Sequence, residues 1–186
     1  WNYDVGTEII WRVGFTPTSY GGALGSVFLH YTTDYTYYYP DYVPAQWVLD
    51  LYDGGDLRYN SFFYELQTGY DHQLYWPLLV KYFGNQDFIS GNLLYHVSMP
   101  KPFRLSEQYL IRAEAYCRKS TPNFSAAAKD LTTLRNARYQ SGGSISLSAD
   151  DYIQKIANER VRELYMEGFR LMDLKRWHKG FERKPQ

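Results

Sequence analysis

The sequence predicts a mainly α-helical protein of tetratricopeptide-like helix pairs, joined to an aromatic-rich irregular region with short strands. Three observations carry this. Residues 103–177 show charged helical patterns separated by turn signals. Most of the 20 tyrosines lie before residue 100, among Gly, Asp, Asn and Pro. A chain of 186 residues with 45% apolar content can bury one sizeable core or two small ones. The organisation expected is therefore a loop-rich, aromatic-rich ligand-binding region with short strands over residues 1–102 and a helical region over 103–186.

Glu8 to Phe15 alternates, with Ile9, Trp11, Val13 and Phe15 on one side, which is the period of a half-buried strand. Thr16 to Gly25 carries a proline and three glycines and reads as loop. The stretch YTTDYTYYYPDYVPAQW (residues 31–47) then packs six tyrosines into seventeen residues with neither helical nor strand period. Val43, Trp47, Val48 and Leu51 follow at helical spacing until the DGGD turn of residues 53–56, so Trp47, like Trp11, is expected in a core. Leu57 to Gly91 mixes aromatics with breakers and reads as irregular, and LLYHVSM (residues 93–99) reads as extended before Pro100 and Pro102.

Three helices complete the chain. Tyr109, Leu110, Ala113 and Cys117 form one apolar stripe over Ser106–Lys119, ended by Thr121-Pro122-Asn123. Ala127, Leu131 and Leu134 form another over Ser125–Arg138, and the short connection implies an antiparallel pair of the tetratricopeptide kind. Units of that kind bury their faces against neighbours, so a lone pair implies stacking partners elsewhere in a larger domain. Beyond the QSGGS linker, Ser148 followed by Asp151 is a helix-start signature. The third helix is expected to run to about Glu167 on a core face of Ile153, Ile156, Ala157 and Leu164, with Gly168 ending it.

Composition and spacing exclude several kinds of chemistry. Twenty basic residues balance twenty acidic ones without a basic block, so nothing attracts nucleic acid or an anionic membrane surface. No apolar run is long enough for a membrane span, and Trp1 is not followed by a secretory leader pattern. One cysteine, Cys117, leaves no internal disulfide and reads as a small buried apolar residue. His30, His72, His96 and His178 are too dispersed for a zinc site, and Asp53-Gly-Gly-Asp56 lacks the further ligands of a calcium loop. No phosphate loop, nucleophile elbow or dinucleotide fingerprint occurs, so no metal, no cofactor and no catalytic residue is expected. Glu159, Glu163 and Glu167 recur on one helical face among Arg160, Arg162, Arg170 and Arg176, near Asp173. Two carboxylates at this spacing meet the separation a glycosidase needs, but interleaved arginines would keep both ionised and remove the general acid's proton. A salt-bridge network is the better reading.

Four segments carry a family resemblance. ERVRELYMEGFRLMDLKRW (residues 159–177) resembles the helix near the C-terminus of the SusD/RagB family of nutrient-binding outer-membrane lipoproteins. FRLSEQYLIRAEAY (103–116) resembles that family's Arg-x-x-Glu-x-Tyr-Leu-x-x-Ala-Glu helix, TEIIWRVGF (7–15) its Glu-Ile-Ile strand, and VPAQWVLDLYDGGDLR (43–58) its Leu-Tyr-x-x-x-Asp-x-Arg segment. The resemblance implies an α–α superhelical, SusD-like fold and a binding protein, not an enzyme. It implies lipid anchoring on the outer face of the outer membrane of Bacteroidetes-type bacteria. Its partners would be an oligosaccharide, or in some members a peptide, and a SusC-like TonB-dependent transporter. Leader, lipidated cysteine, earlier repeats and the family's Pro-Ile-Pro and Asn-Pro tail elements are not found in the sequence, so a C-terminal portion is expected, with Cys117 not matching the lipidated position.

The tyrosines fit that expectation on physical grounds. A sugar ring has an apolar face and a polar edge, and tyrosine offers a rigid ring beside a hydroxyl at little entropic cost. Between Tyr31 and Tyr42 there is no aliphatic residue with which the segment could build a core of its own. The ligand-binding residues expected are therefore Tyr35, Tyr37, Tyr38, Tyr39, Tyr42 and Trp76. Extended backbone would turn Tyr35, Tyr37 and Tyr39 to one side and Tyr38 to the other. Asp34 and Asp41 are loop aspartates that either accept sugar hydroxyls or cap their own backbone. The same surface suits peptide, which stays open as the alternative occupant.

Overall fold

The computed structural model describes residues 1–31, 36–70 and 74–181. Among them are eight helices and four strands: β1 (Ile9–Trp11), α1 (Ser26–Leu29), α2 (Gln46–Leu49), α3 (Leu57–Phe62), β2 (Phe63–Gln67), β3 (Tyr75–Leu79), α4 (Gln86–Asn92), β4 (Phe103–Arg104), α5 (Leu105–Arg118), α6 (Phe124–Asn136), α7 (Tyr152–Leu164) and α8 (Arg170–Arg176). They form two compact units. One holds Trp1–Pro44 and Tyr59–Phe103, the other Ala45–Arg58 and Arg104–Gln186. The fold is mainly α, as the helical periodicity requires.

In the helical unit, the segment 119–123 returns the chain so that α6 packs on α5, and α7 packs on α5 as well. Leu110, Ala113 and Cys117 of α5 meet Ala127, Leu131 and Leu134 of α6 and Ile156 and Leu164 of α7. Ala113 and Ala127 are fully buried, and their small side chains let the helices approach closely. Each buried leucine contributes about 2 kcal/mol of apolar transfer. Asn123 caps α6 by accepting from Ala126 N at 2.9 Å, and Asp151 accepts from Ser148 N at 2.8 Å ahead of α7. That helix ends at Leu164, short of Glu167, because the chain reverses at Met166 (φ +57°) before Gly168 (φ +90°). Ile153, expected in the core, is half-buried.

The other unit differs more from expectation. Residues 57–91 are not irregular: they hold α3, α4 and the antiparallel β2–β3 hairpin, in register Phe63↔Leu79 through Gln67↔Tyr75. Strand β1 covers three residues, and Trp11 is 52% exposed, packing its ring against Phe103 at 6.1 Å instead of entering a core. In the helical unit Trp47 is likewise exposed, at 54%, since α2 turns Val48 and Leu49 inward. The segment expected as extended instead leaves α4 through a left-handed Leu93 (φ +56°), with a second positive φ at His96. Asp4, fully buried, accepts from Lys101, from Asn85 Nδ2 at 2.9 Å and from Met99 N at 3.1 Å, tying the first residues to that later chain. Gly25 begins α1 against the Tyr82 carbonyl, where a Cβ would lie 1.9 Å from the oxygen. Among the described residues no helix is long and apolar enough to cross a membrane.

Candidate ligand-binding surface

The tyrosine segment is fixed by backbone hydrogen bonds to α1's exit and to the hairpin. Tyr39 N donates to His30 O at 2.7 Å, and Asp41 N to Val27 O at 2.9 Å. Tyr38 bridges Tyr31 on one side and Thr68 on the other. Its N–H donates to Gln67 O at 3.0 Å, while its carbonyl accepts from Gly69 N at 2.9 Å. A run without period of its own is thus held by pairing, and its rings are divided between packing and solvent.

Tyr38 is half-buried with its ring edge-on to Tyr31, 6.1 Å between centroids. Tyr39 is half-buried edge-on to Tyr70 at 5.1 Å, and occupies the space beside Gly69 where a Cβ would lie 2.0 Å from its Cζ. Tyr37 is half-buried, and Tyr42 is 59% exposed with one side against Phe28 at 6.4 Å. Trp76, on β3, is half-buried and donates its Nε1–H to Pro44 O at 3.0 Å. Tyr35 and Asp34 lie outside the described residues. Exposed rings that the sequence did not single out include Tyr64 (64%) and Tyr75 (60%) on the hairpin and Tyr70 (48%). The alternation of Phe63-Tyr64-Glu65-Leu66-Gln67 was the available signal.

The carboxylates of α7 form a buried ionic network within the helical unit. Arg58 donates to Asp56 through Nε at 2.9 Å and Nη2 at 2.7 Å, and its Nη1 reaches Glu159 at 2.7 Å and Glu163 at 3.0 Å. Glu163 also receives Arg138 twice at 3.0 Å and Arg104 at 3.2 Å, while Arg104 grips Glu167 at 2.9 and 2.7 Å. Arg162 holds Glu159 at 2.7 Å, and Arg160 holds Asp173 at 2.6 Å. The network expected from the sequence is present, but the arginines on Glu163 come from Arg58, Arg104 and Arg138, all outside α7. Burial alone would raise the Glu163 pKa; the hydrogen bonds and charge of Arg138, with the charges of Arg104 and Arg58, bring it down to about 2. Burial alone would also lower Arg58, yet its bond to Asp56 and the charges of Glu159 and Glu163 raise it above the ordinary range. A carboxyl held ionised in this way cannot serve as general acid near neutrality. Among the described residues no cluster of His, Cys, Asp and Glu suits a metal ion, and Cys117 is a buried free thiol whose pKa burial pushes up.

A unit of packed helix pairs and a unit carrying an aromatic-bearing hairpin define the chain as one of the mainly α class. The sequence profile of the SusD family matches residues 63–184, and the chain belongs to that family. Solved structures agree. A SusD-like carbohydrate binding protein from Bacteroides vulgatus is 27% identical with TM-score 0.69, over 92% of this chain and 35% of its own. Two SusD superfamily proteins share the fold: one from Bacteroides thetaiotaomicron (22% identity, TM-score 0.70, 99% of this chain and 41% of its own) and one from Bacteroides vulgatus (24%, 0.62, 97% and 38%). The chain thus spans between 35% and 41% of the length of these structures. No curated protein matches the sequence.

Proposed function

We propose that this chain is part of a nutrient-binding protein of the outer membrane's external face, lipid-anchored outside these residues, that holds oligosaccharide for delivery to a SusC-like TonB-dependent transporter. Family membership and the carbohydrate-binding relative support this reading. The observation that carries it is the tyrosine segment pinned by its backbone to a hairpin, with Tyr42 59% exposed and Tyr37 half-buried. Rings whose position is set by main-chain bonds are pre-organised, so little ordering entropy opposes ligand stacking. The ion-paired state of Glu163 favours binding over hydrolysis.

The test is calorimetry of the parent protein against neutral and acidic oligosaccharides and mixed peptides, with Tyr37→Ala and Tyr42→Ala alongside. Loss of sugar affinity by roughly tenfold in either variant is expected, the scale of removing an aromatic anchor. Unchanged sugar binding in both would remove the site from this segment. Binding of peptides with no response to sugars would make peptide capture, through the same surface and uptake route, the function.

A further inference from the structure

Strand register assigns three further residues to the ligand surface. Bridged residues share a face of a sheet, and their chain neighbours take the other. Tyr38 pairs with Thr68, so Tyr37 falls beside Gln67 and Tyr39 beside Gly69. The Tyr39 ring lying over the Gly69 Cα agrees with this parity. In the hairpin Gln67 is opposite Tyr75, and Glu65 is opposite Pro77. Tyr37, Gln67 and Tyr75 therefore form one row across the two-stranded hairpin and the tyrosine segment bridged to it, with Glu65 two residues along on the same face. Tyr75 is 60% exposed, Glu65 is exposed, and Tyr37 and Gln67 are half-buried.

We infer that this row is a flat subsite for a neutral glycan segment, with Tyr37 and Tyr75 as ring platforms and the Gln67 carboxamide and Glu65 carboxylate meeting hydroxyls between and beside them; the inference rests on the function proposed above. The two rings stand about two strand spacings apart, ~10 Å, which suits successive sugars of one chain and leaves the amide between them. Glu65 carries the single formal charge on this row among the described residues. Its carboxylate accepts from sugar hydroxyls and repels uronate or sulfate groups. Discrimination then comes from the hairpin, while stacking on tyrosine tolerates sugar identity. The same parity places Tyr64 and Trp76 on the opposite face.

The experiment is titration of the intact parent protein with neutral hexaoses (malto-, cello-, xylo- and mannohexaose), with an oligogalacturonate and with a mixed hexapeptide pool. The variants are Tyr37→Ala, Tyr75→Ala, Gln67→Ala, Glu65→Gln and, as control, Tyr64→Ala. Expected are binding of a neutral hexaose in preference to oligogalacturonate and about tenfold weaker binding for Tyr75→Ala, as for Tyr37→Ala. Gln67→Ala should lose several-fold, Tyr64→Ala nothing, and Glu65→Gln should narrow the gap to oligogalacturonate. Melting curves should be unchanged for Tyr75→Ala, an exposed site. Loss in Tyr37→Ala without loss in Tyr75→Ala and Gln67→Ala would overturn the row and leave the proposed function standing. Oligogalacturonate bound as tightly as any hexaose would overturn the neutral class alone. Peptides bound with every saccharide silent would overturn both.

Discussion

Arg58→Ala tests whether the ionic network, not helix packing alone, holds the helical unit together. The Arg58 side chain is 3% exposed, and those of Asp56, Glu159 and Glu163 are 0%, 1% and 2% exposed. Truncation affects the three carboxylates unequally. Glu159 keeps Arg162 at 2.7 Å, and Glu163 keeps Arg138 at 3.0 Å and Arg104 at 3.2 Å. Asp56 loses both bonds of a bidentate pair and retains the N–H of residue 58 at 3.0 Å. Stranding one buried charge costs about 3 to 5 kcal/mol, and the cost here falls almost wholly on Asp56.

A loss of about 4 kcal/mol should lower the urea midpoint by about 2 M and Tm by roughly 8 to 16 °C. Adding Asp56→Ala to Arg58→Ala removes the stranded charge. The pair should then cost less than the sum of the single losses, with a coupling of about 2 kcal/mol in a double-mutant cycle. A loss under about 1 kcal/mol, the range of solvent-screened surface pairs, would refute the reasoning by showing that water reaches Asp56.

Two further outcomes follow from named groups. Gly25→Ala puts a Cβ 1.9 Å from the Tyr82 carbonyl oxygen and 3.0 Å from the His96 Cβ, so main chain must move; a loss of about 2 kcal/mol or more is expected in thermal melts. Acid should weaken the helical unit through Glu163, which titrates at about 2 when folded against an ordinary 4.5. The unfolded chain binds that proton first, so the contribution is complete above pH 4.5 and is lost as pH falls towards 2. It amounts to roughly 3 kcal/mol; melts from pH 6 to 2.5 should show Glu163→Gln with a shallower decline than the parent.

The helical unit was legible because its signals are local. Leu110, Ala113 and Cys117, or Ala127, Leu131 and Leu134, recur at helical spacing and are the residues buried. The hairpin was missed because the alternation of residues 63–67 does not show what the strand pairs with: Gln67 gains its significance from Tyr75 across the hairpin turn and from the bridged segment at Tyr38, and neither register is written in the strand itself. Trp11 and Trp47 misled for a related reason. Each has the right spacing for a buried face, but β1 stops after three residues and α2 after four, too short for spacing to determine burial. Likewise the acidic run of α7 was readable as paired, while Arg58, Arg104 and Arg138 were not readable as its partners.

These two kinds of order suit a binding scaffold. Buried ion pairs are geometrically exacting and stabilise only when every member is in place, so they hold Arg58, Arg104 and Arg138 in one arrangement about α7 and keep Glu163 ionised. The tyrosines are held differently: main-chain bonds at Tyr38 and Tyr39 fix the backbone, while Tyr42 and Tyr75 keep more than half their surface in water. Substituting such a ring should leave the fold intact and change only what it touches. Stability assays and binding assays should therefore separate cleanly in this protein, the first responding to Arg58 and the second to Tyr37 and Tyr75.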